Sequence, residues 1–249
     1  MGRMGQMGPM GEQVFVVVPA YNEGAAVYGV IAELVAHYPN VVVVDDGSGD
    51  ATAEEAKRAG AKVVRHALNR GQGAALQTGI EYALRRNAEV IVTFDADGQH
   101  RVEDIAALVH ALEQTNADVA IGSRFLHDIA AKEHGQRTTD NGQRSTIPPL
   151  RRFTLRLAVR FMRLTSGVAL TDAHNGLRAF RRDAARKIRI TLDGMAHASE
   201  LVDQISEHGL RVTEVPVVIR YSEYSMNKGQ SSAAAFRIAF DYLIQRWFR

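Results

Sequence analysis

The sequence predicts an α/β fold: a mostly parallel sheet flanked by helices. Short apolar runs rich in β-branched residues, at 14–18, 41–44, 63–64 and 90–94, alternate with segments of helical spacing at 25–37, 52–59 and 72–85. Strands separated by helices of this length pair in parallel through crossover connections. The polar residues gather just after the runs, in "VVVPAYNEG", "VVVVDDGSGD" and "VTFDADGQH", and sheets of this kind carry their chemistry at the carboxyl ends of the strands.

In chain order, residues 1–12 read as a disordered leader, because "MGRMGQMGPMGEQ" has no apolar stretch of the signal-peptide kind. A single domain over 13–249 follows. Its first half, 13–125, holds the four strands and three helices above, a helix at 102–112 and a fifth strand at 119–122. In the second half, 126–249, the periodicity breaks. Residues 126–150 mix Gly, Pro, Thr, Asn and charges and end in Pro148-Pro149, the composition of a mobile functional loop. A helix at 153–164, a strand at 212–219 and an amphipathic helix at 233–248 complete the expectation.

Composition excludes several classes of function. With 46% hydrophobic and 23% charged residues the chain reads as an ordinary globular domain. No run approaches the roughly 18 apolar residues of a membrane span. Zero cysteines exclude disulfides, thiolate catalysis and cysteine-ligated metals, and the missing export signal points to the cytoplasm. A net charge of +2 gives no footprint for nucleic acid. Arginines nevertheless crowd 144–189, where acids are scarce.

Side by side in a parallel sheet, the three polar strand ends would line one crevice with Glu23, Asp45, Asp46, Asp95 and Asp97. In extended chain, residues i and i+2 project to one side, so Asp95 and Asp97 face a site together. Carboxylates that close resist joint ionisation. A divalent cation relieves the repulsion, and carboxylate with amide oxygen suits Mg²⁺ or Mn²⁺. Asp97 and Gln99 are the expected direct ligands, with Asp95 turned to the metal or to a ribose hydroxyl. Such a cation bridges a diphosphate and stabilises a leaving phosphate. For Asp45-Asp46-Gly47-Ser48 alone, turn chemistry is an equal reading. Other nucleotide sites fail on spacing. There is no G-x-x-x-x-G-K-[ST], and in "GQGAAL" Leu76 stands where a dinucleotide fingerprint needs its third glycine.

"VVVPAYNEG", "VVVVDDGSGDAT", "RGQGAALQTGI" and "DADGQH", in that order, resemble family 2 glycosyltransferases of the GT-A fold. "GSRF", "DAHNGLRAFRR" and "GLRVTEVPV" narrow the resemblance to the dolichol-phosphate or polyprenyl-phosphate mannosyltransferase branch. It covers about 14–221. It implies a Rossmann-like sheet and inverting transfer of a hexose from a GDP- or UDP-sugar, with Mg²⁺ or Mn²⁺ as cofactor. Carried over by position, Pro19, Tyr21, Asn22 and Glu23 hold the nucleotide, Asp46 meets its base or ribose, and Arg70 approaches the diphosphate. Asp95, Asp97 and Gln99 match the metal triplet.

On the acceptor side, Arg124 and Arg178 match arginines that face the acceptor phosphate, where a planar guanidinium fork suits phosphate oxygens. Lys228 reaches a phosphate too, in a stretch that departs from the family pattern, as Asn175-Gly176-Leu177-Arg178 departs from the usual S-G-F-R. Relatives that glycosylate hydroxyls carry an Asp two positions before the residue matching Glu200; this chain has Ala198. An ionised phosphate needs no strong base, so the change favours a lipid phosphate. Asp172 and Glu200 are the catalytic candidates, with His197 also in reach of the role. A structural salt bridge is the alternative for Asp172. A sugar hydroxyl acceptor, as in surface polysaccharide assembly, and a non-catalytic nucleotide-sugar sensor are the rival readings. The stripe Phe236, Phe240, Leu243, Ile244 and Trp247 either packs on the domain or a partner, or lies on a membrane surface. The second case would put the enzyme peripherally at the inner face of the membrane.

Overall fold

The computed structural model describes residues 13–126, 170–172, 175–192 and 196–219. One sheet is built from β1 (Val14–Ala20), β2 (Asn40–Asp45), β3 (Lys62–Arg65), β4 (Val90–Thr93), β5 (Val119–Ser123), β6 (Arg178–Arg181) and β7 (Val212–Pro216). Its order is β3-β2-β1-β4-β6-β5-β7. All neighbours pair in parallel except at β6, which is antiparallel to both β4 and β5. The sheet is thus mostly parallel, as expected. The helices are α1 (Val27–His37), α2 (Thr52–Arg58), α3 (Gln72–Arg85), α4 (Glu103–Thr115), α5 (Arg182–Lys187) and α6 (His197–Glu207).

Period-two alternation divides the core between two faces. Val14, Val16 and Val18 of β1 join Ile31 and Leu34 of α1 and Ile105 and Leu108 of α4 on one side. Phe15 and Val17 join Ala75 and Ile80 of α3 and Leu201 and Ile205 of α6 on the other. The near-continuous apolar runs of β1, β2 and β4 reflect this burial from both sides.

The chain winds outward from β1 through β2 to β3, then returns across the sheet to β4. That reversal opens a crevice between the carboxyl ends of β1 and β4, the place where sheets of this class take ligands. Register shows where the strands part. Pairing of β1 with β4 ends at Val17↔Thr93, and the carbonyl of Val17 accepts from the Phe94 N–H at 3.0 Å. Two residues on, Pro19 occupies the position whose N–H would continue that ladder and has none to give.

β6, α5 and α6 were not among the sequence expectations, and the final strand stops at Pro216 rather than 219. The leader at 1–12, residues 127–150, the helix at 153–164, Lys228 and the helix at 233–248 lie outside the described residues.

Candidate active site

The loop after β1 is fixed by the loop after β2. Ser48 Oγ accepts the Asn22 N–H at 2.9 Å, Thr52 Oγ1 the Glu23 N–H at 2.8 Å, and Asp50 the Gly24 N–H at 3.0 Å. In return the Asn22 side-chain oxygen accepts the Gly49 N–H at 3.0 Å. Asn22 holds φ 53°, a left-handed conformation that asparagine tolerates. Its carboxamide oxygen is therefore engaged in shaping the loop. Pro19 is buried, Glu23 half-buried, and Tyr21 46% exposed at the crevice mouth.

Asp46 is buried, and its oxygens are occupied by protein donors. Oδ1 accepts the Arg70 N–H at 2.9 Å and the His66 Nδ1–H at 2.7 Å, while Oδ2 accepts the Gly71 N–H at 2.6 Å. A carboxylate only accepts, so His66 carries its proton on Nδ1. Its Nε2 lies 2.9 Å from the Thr78 hydroxyl. The staple turns the chain into α3 at Gly71, whose φ of 95° excludes a side chain. Arg70 is left exposed ahead of that helix. Asp45, expected in the crevice wall, is fully enclosed instead. It accepts the Ser48 N–H and meets Arg65 Nε at 3.0 Å.

Beyond β4 lie Asp95 and Asp97, near enough for the charge of one to act on the other. Asp95, 28% exposed in its side chain, accepts from His100 Nε2 at 3.1 Å and from the Gln72 amide at 3.2 Å. Burial alone would raise its pKa. The hydrogen bond and charge of His100, with the charges of Arg178 and His197, hold it below the ordinary carboxylate value. Asp97 behaves oppositely: burial, then the charge of Asp95, push it up to about 6 against the N–H it accepts from Gln99 at 3.0 Å and the charge of His100. Glu23 adds to the repulsion. Among the described residues no three His, Cys, Asp or Glu side chains form a ready metal cage. Two carboxylates that resist joint ionisation nonetheless fit a hard divalent cation.

Across β4 the antiparallel strand β6 brings its beginning to the same edge, with Thr93 opposite Arg178. Thr93 Oγ1 donates to the Gly176 carbonyl at 2.7 Å. A Cβ on Gly176 would stand 2.0 Å from Asp95 Oδ2, so only glycine admits this approach. Arg178 is almost fully buried. Burial pulls its pKa down, and the charges of Asp95 and Asp172 oppose that. Asp172, equally buried, is clamped by Arg124 through Nε at 2.6 Å, Nη2 at 2.7 Å and the backbone N–H at 3.1 Å. Carboxylates and guanidinia thus alternate from Asp95 through Arg178 and Asp172 to Arg124. Glu200 accepts the Thr191 and Leu192 N–H groups at 2.9 Å each, and the Thr191 hydroxyl.

The structure therefore groups Glu23, Asp95, Asp97, Gln99, Arg178, Asp172 and Arg124 at one end of the sheet. Asp46 shapes the turn into α3, and Glu200 holds the 191–192 loop. Sequence reasoning missed Gln72, His66 and Glu214. A glutamine at the first position of α3 carries no signal of its own. His66, just after β3, and Glu214, inside β7, read as ordinary polar residues.

A family model described as "Glycosyl transferase family 2" matches residues 15–189. The chain is 30% identical, over 93% of its length and 95% of the relative's, to a UDP-N-acetylglucosamine–dolichyl-phosphate N-acetylglucosaminyltransferase of Methanococcus voltae. It is 31% identical, over 92% of its length and 86% of the relative's, to the polyprenol monophosphomannose synthase of Mycolicibacterium smegmatis. A crystal structure of glucosyl-3-phosphoglycerate synthase from Mycobacterium tuberculosis, with Mn²⁺, UDP-glucose and phosphoglyceric acid, shares the fold. Its TM-score is 0.69 at 19% identity, covering 97% of this chain and 83% of that one.

Proposed function

From the premise that this chain belongs to glycosyl transferase family 2, and is a glycosyltransferase of GT-A fold, we propose that it moves a hexose from a GDP- or UDP-sugar to a polyprenyl-phosphate-type lipid, with inversion at the anomeric carbon. The observation that carries the reading is the meeting of the Asp95–Asp97 pair with buried Arg178 across adjacent strands, which sets donor and acceptor groups side by side. The two relatives are named for dolichyl-phosphate and polyprenol phosphate chemistry.

The donor nucleotide lies over Pro19, Tyr21 and the loop that Asn22 and Glu23 shape, against the turn fixed by Asp46. Its diphosphate extends toward Arg70 and the start of α3, whose aligned N–H groups favour negative charge. Asp95, Asp97 and Gln99 hold Mg²⁺ or Mn²⁺. Bound there, the cation supplies Lewis acidity to the leaving nucleoside diphosphate. Arg124 and Arg178, with Lys228, receive the acceptor phosphate, whose oxygen attacks the anomeric carbon. Asp172 and Glu200 are engaged by protein donors, so they orient groups rather than abstract a proton. An acceptor ionised at neutral pH matches a site of that kind. With a lipid acceptor the enzyme would work peripherally at the inner face of the membrane; no helix among the described residues is long and apolar enough to cross it.

The test is transfer by purified protein from a panel of UDP- and GDP-sugars with Mn²⁺ or Mg²⁺, with and without polyprenyl phosphate, and Asp97→Ala as control. Metal-dependent nucleoside diphosphate release that rises only with the lipid and vanishes in the variant is the expected result. Release stimulated by a saccharide but not by the lipid would replace this acceptor with a sugar hydroxyl.

A further inference from the structure

β7 carries one carboxylate, Glu214, that holds the segment bonded to Arg124. Glu214 pairs in register with Ile121 of β5, two residues before Ser123. Its Oε1 accepts the Thr171 N–H at 2.9 Å, the Thr171 hydroxyl at 2.9 Å and the Asp172 N–H at 3.1 Å; its Oε2 also lies 2.9 Å from the Thr171 nitrogen. The Thr171 hydroxyl meets Ser123 Oγ at 2.6 Å, and Ser123 Oγ accepts the Phe125 N–H at 3.2 Å. Both chain neighbours of Arg124 are thereby tied to the 171–172 segment. Asp172 closes the circuit through its three contacts with Arg124.

We infer that Glu214 is a positioning residue for acceptor recognition: through the backbone of Thr171 and Asp172 it aims the Asp172 carboxylate, which sets the plane of the Arg124 guanidinium. The inference rests on the proposed acceptor role of Arg124. Three donors, two of them backbone N–H groups, converge on one oxygen, a demand that a carboxylate meets and an apolar side chain leaves unsatisfied. A fork that binds phosphate through two parallel hydrogen bonds tolerates little rotation, so its plane matters as much as its charge. Glu214 itself touches no reacting group in this arrangement and acts only through Asp172.

The experiment compares Glu214→Ala with Glu214→Gln, which retains one carbonyl oxygen, by steady-state kinetics with donor and acceptor varied separately. The Arg124 Nε–H resonance, assigned with Arg124→Lys, is followed in parallel without substrate. The alanine variant should raise the acceptor KM about five- to tenfold, the loss of roughly one to two hydrogen bonds, with kcat and donor KM within about twofold. Its Arg124 Nε–H resonance should move toward the position of a solvated arginine. The glutamine variant should recover most of both. Glu214→Asp, which withdraws the carboxylate by one methylene, replaces alanine should that variant fail to fold. An unmoved resonance overturns the inference, as does a kcat or donor KM change with the acceptor KM intact. Wild-type transfer to a saccharide instead of the lipid would sink the acceptor reading alone, and the resonance would still decide the role of Glu214.

Discussion

Asp97 is the residue whose charge the fold opposes most plainly. Its pKa stands at about 6, raised from the model-compound value of 3.8 by burial and by Asp95. Between those two values the folded protein holds a proton that the unfolded chain has released. Stability from this group therefore falls as pH rises through that window. In EDTA, the melting temperature should drop between pH 4 and pH 7, and Asp97→Asn should flatten that slope. Mn²⁺ should restore stability at pH 7, where the pair is ionised and ready to bind. A slope identical in the variant would remove Asp97 as its source. Asp172 makes the contrasting case. Its oxygens already serve Arg124, so Asp172→Asn should cost about 1.5–3 kcal/mol of stability, the loss of a charge-assisted hydrogen bond. The variant should also lower kcat/KM without shifting the pH–rate profile. Disappearance of the acidic limb of that profile would instead make Asp172 a base.

At the scale of elements, the site is assembled by short pieces held at close range. β6 is four residues long, with arginine at both ends, and its approach to β4 depends on Gly176. Gly176→Ala would push a methyl into the Asp95 carboxylate. The expected cost is about 1–3 kcal/mol of overpacking, with Mn²⁺ affinity falling in the same variant because Asp95 must move. Retained affinity in a destabilised protein would uncouple β6 from the acid pair. β6 escaped the sequence reading because "RAFR" has neither length nor β-branched content; pairing on both edges makes it a strand. α6 escaped for a weaker reason. Ala198, Leu201, Val202 and Ile205 recur at helical spacing and are all buried, a signal present in the sequence. Its polar and charged residues at 199, 200, 203 and 204 obscured that stripe.

For the whole molecule, the reversal of strand order makes one crevice, and its two walls come from loops far apart in sequence. Donor and cation should therefore bind as one unit. UDP with Mn²⁺, at about 100 times the dissociation constant, should stabilise the fold by about 2.7 kcal/mol, or roughly 5–10 °C for a chain of this size. UDP alone or Mn²⁺ alone should give clearly less, read by differential scanning fluorimetry. Additive shifts from the two ligands would argue that they occupy separate places.

The sequence by itself determined the α/β class, the five strands up to Ser123 and the acid pair. Those features are local: β-branched runs, helical spacing and the two-residue repeat of an extended chain act over a few residues, whatever lies elsewhere. Only the tertiary structure decided what each polar side chain does. Asp46 and Asn22 read as nucleotide contacts and Glu200 as a catalytic candidate; the fold adds that each binds a backbone N–H of a neighbouring loop. Arg178 reads as an arginine facing the acceptor phosphate; the fold buries it, under the charges of Asp95 and Asp172. The physical reason is that buried loop N–H groups and a buried guanidinium demand partners. Which side chains meet that demand depends on segments dozens of residues apart, brought together only when the sheet forms.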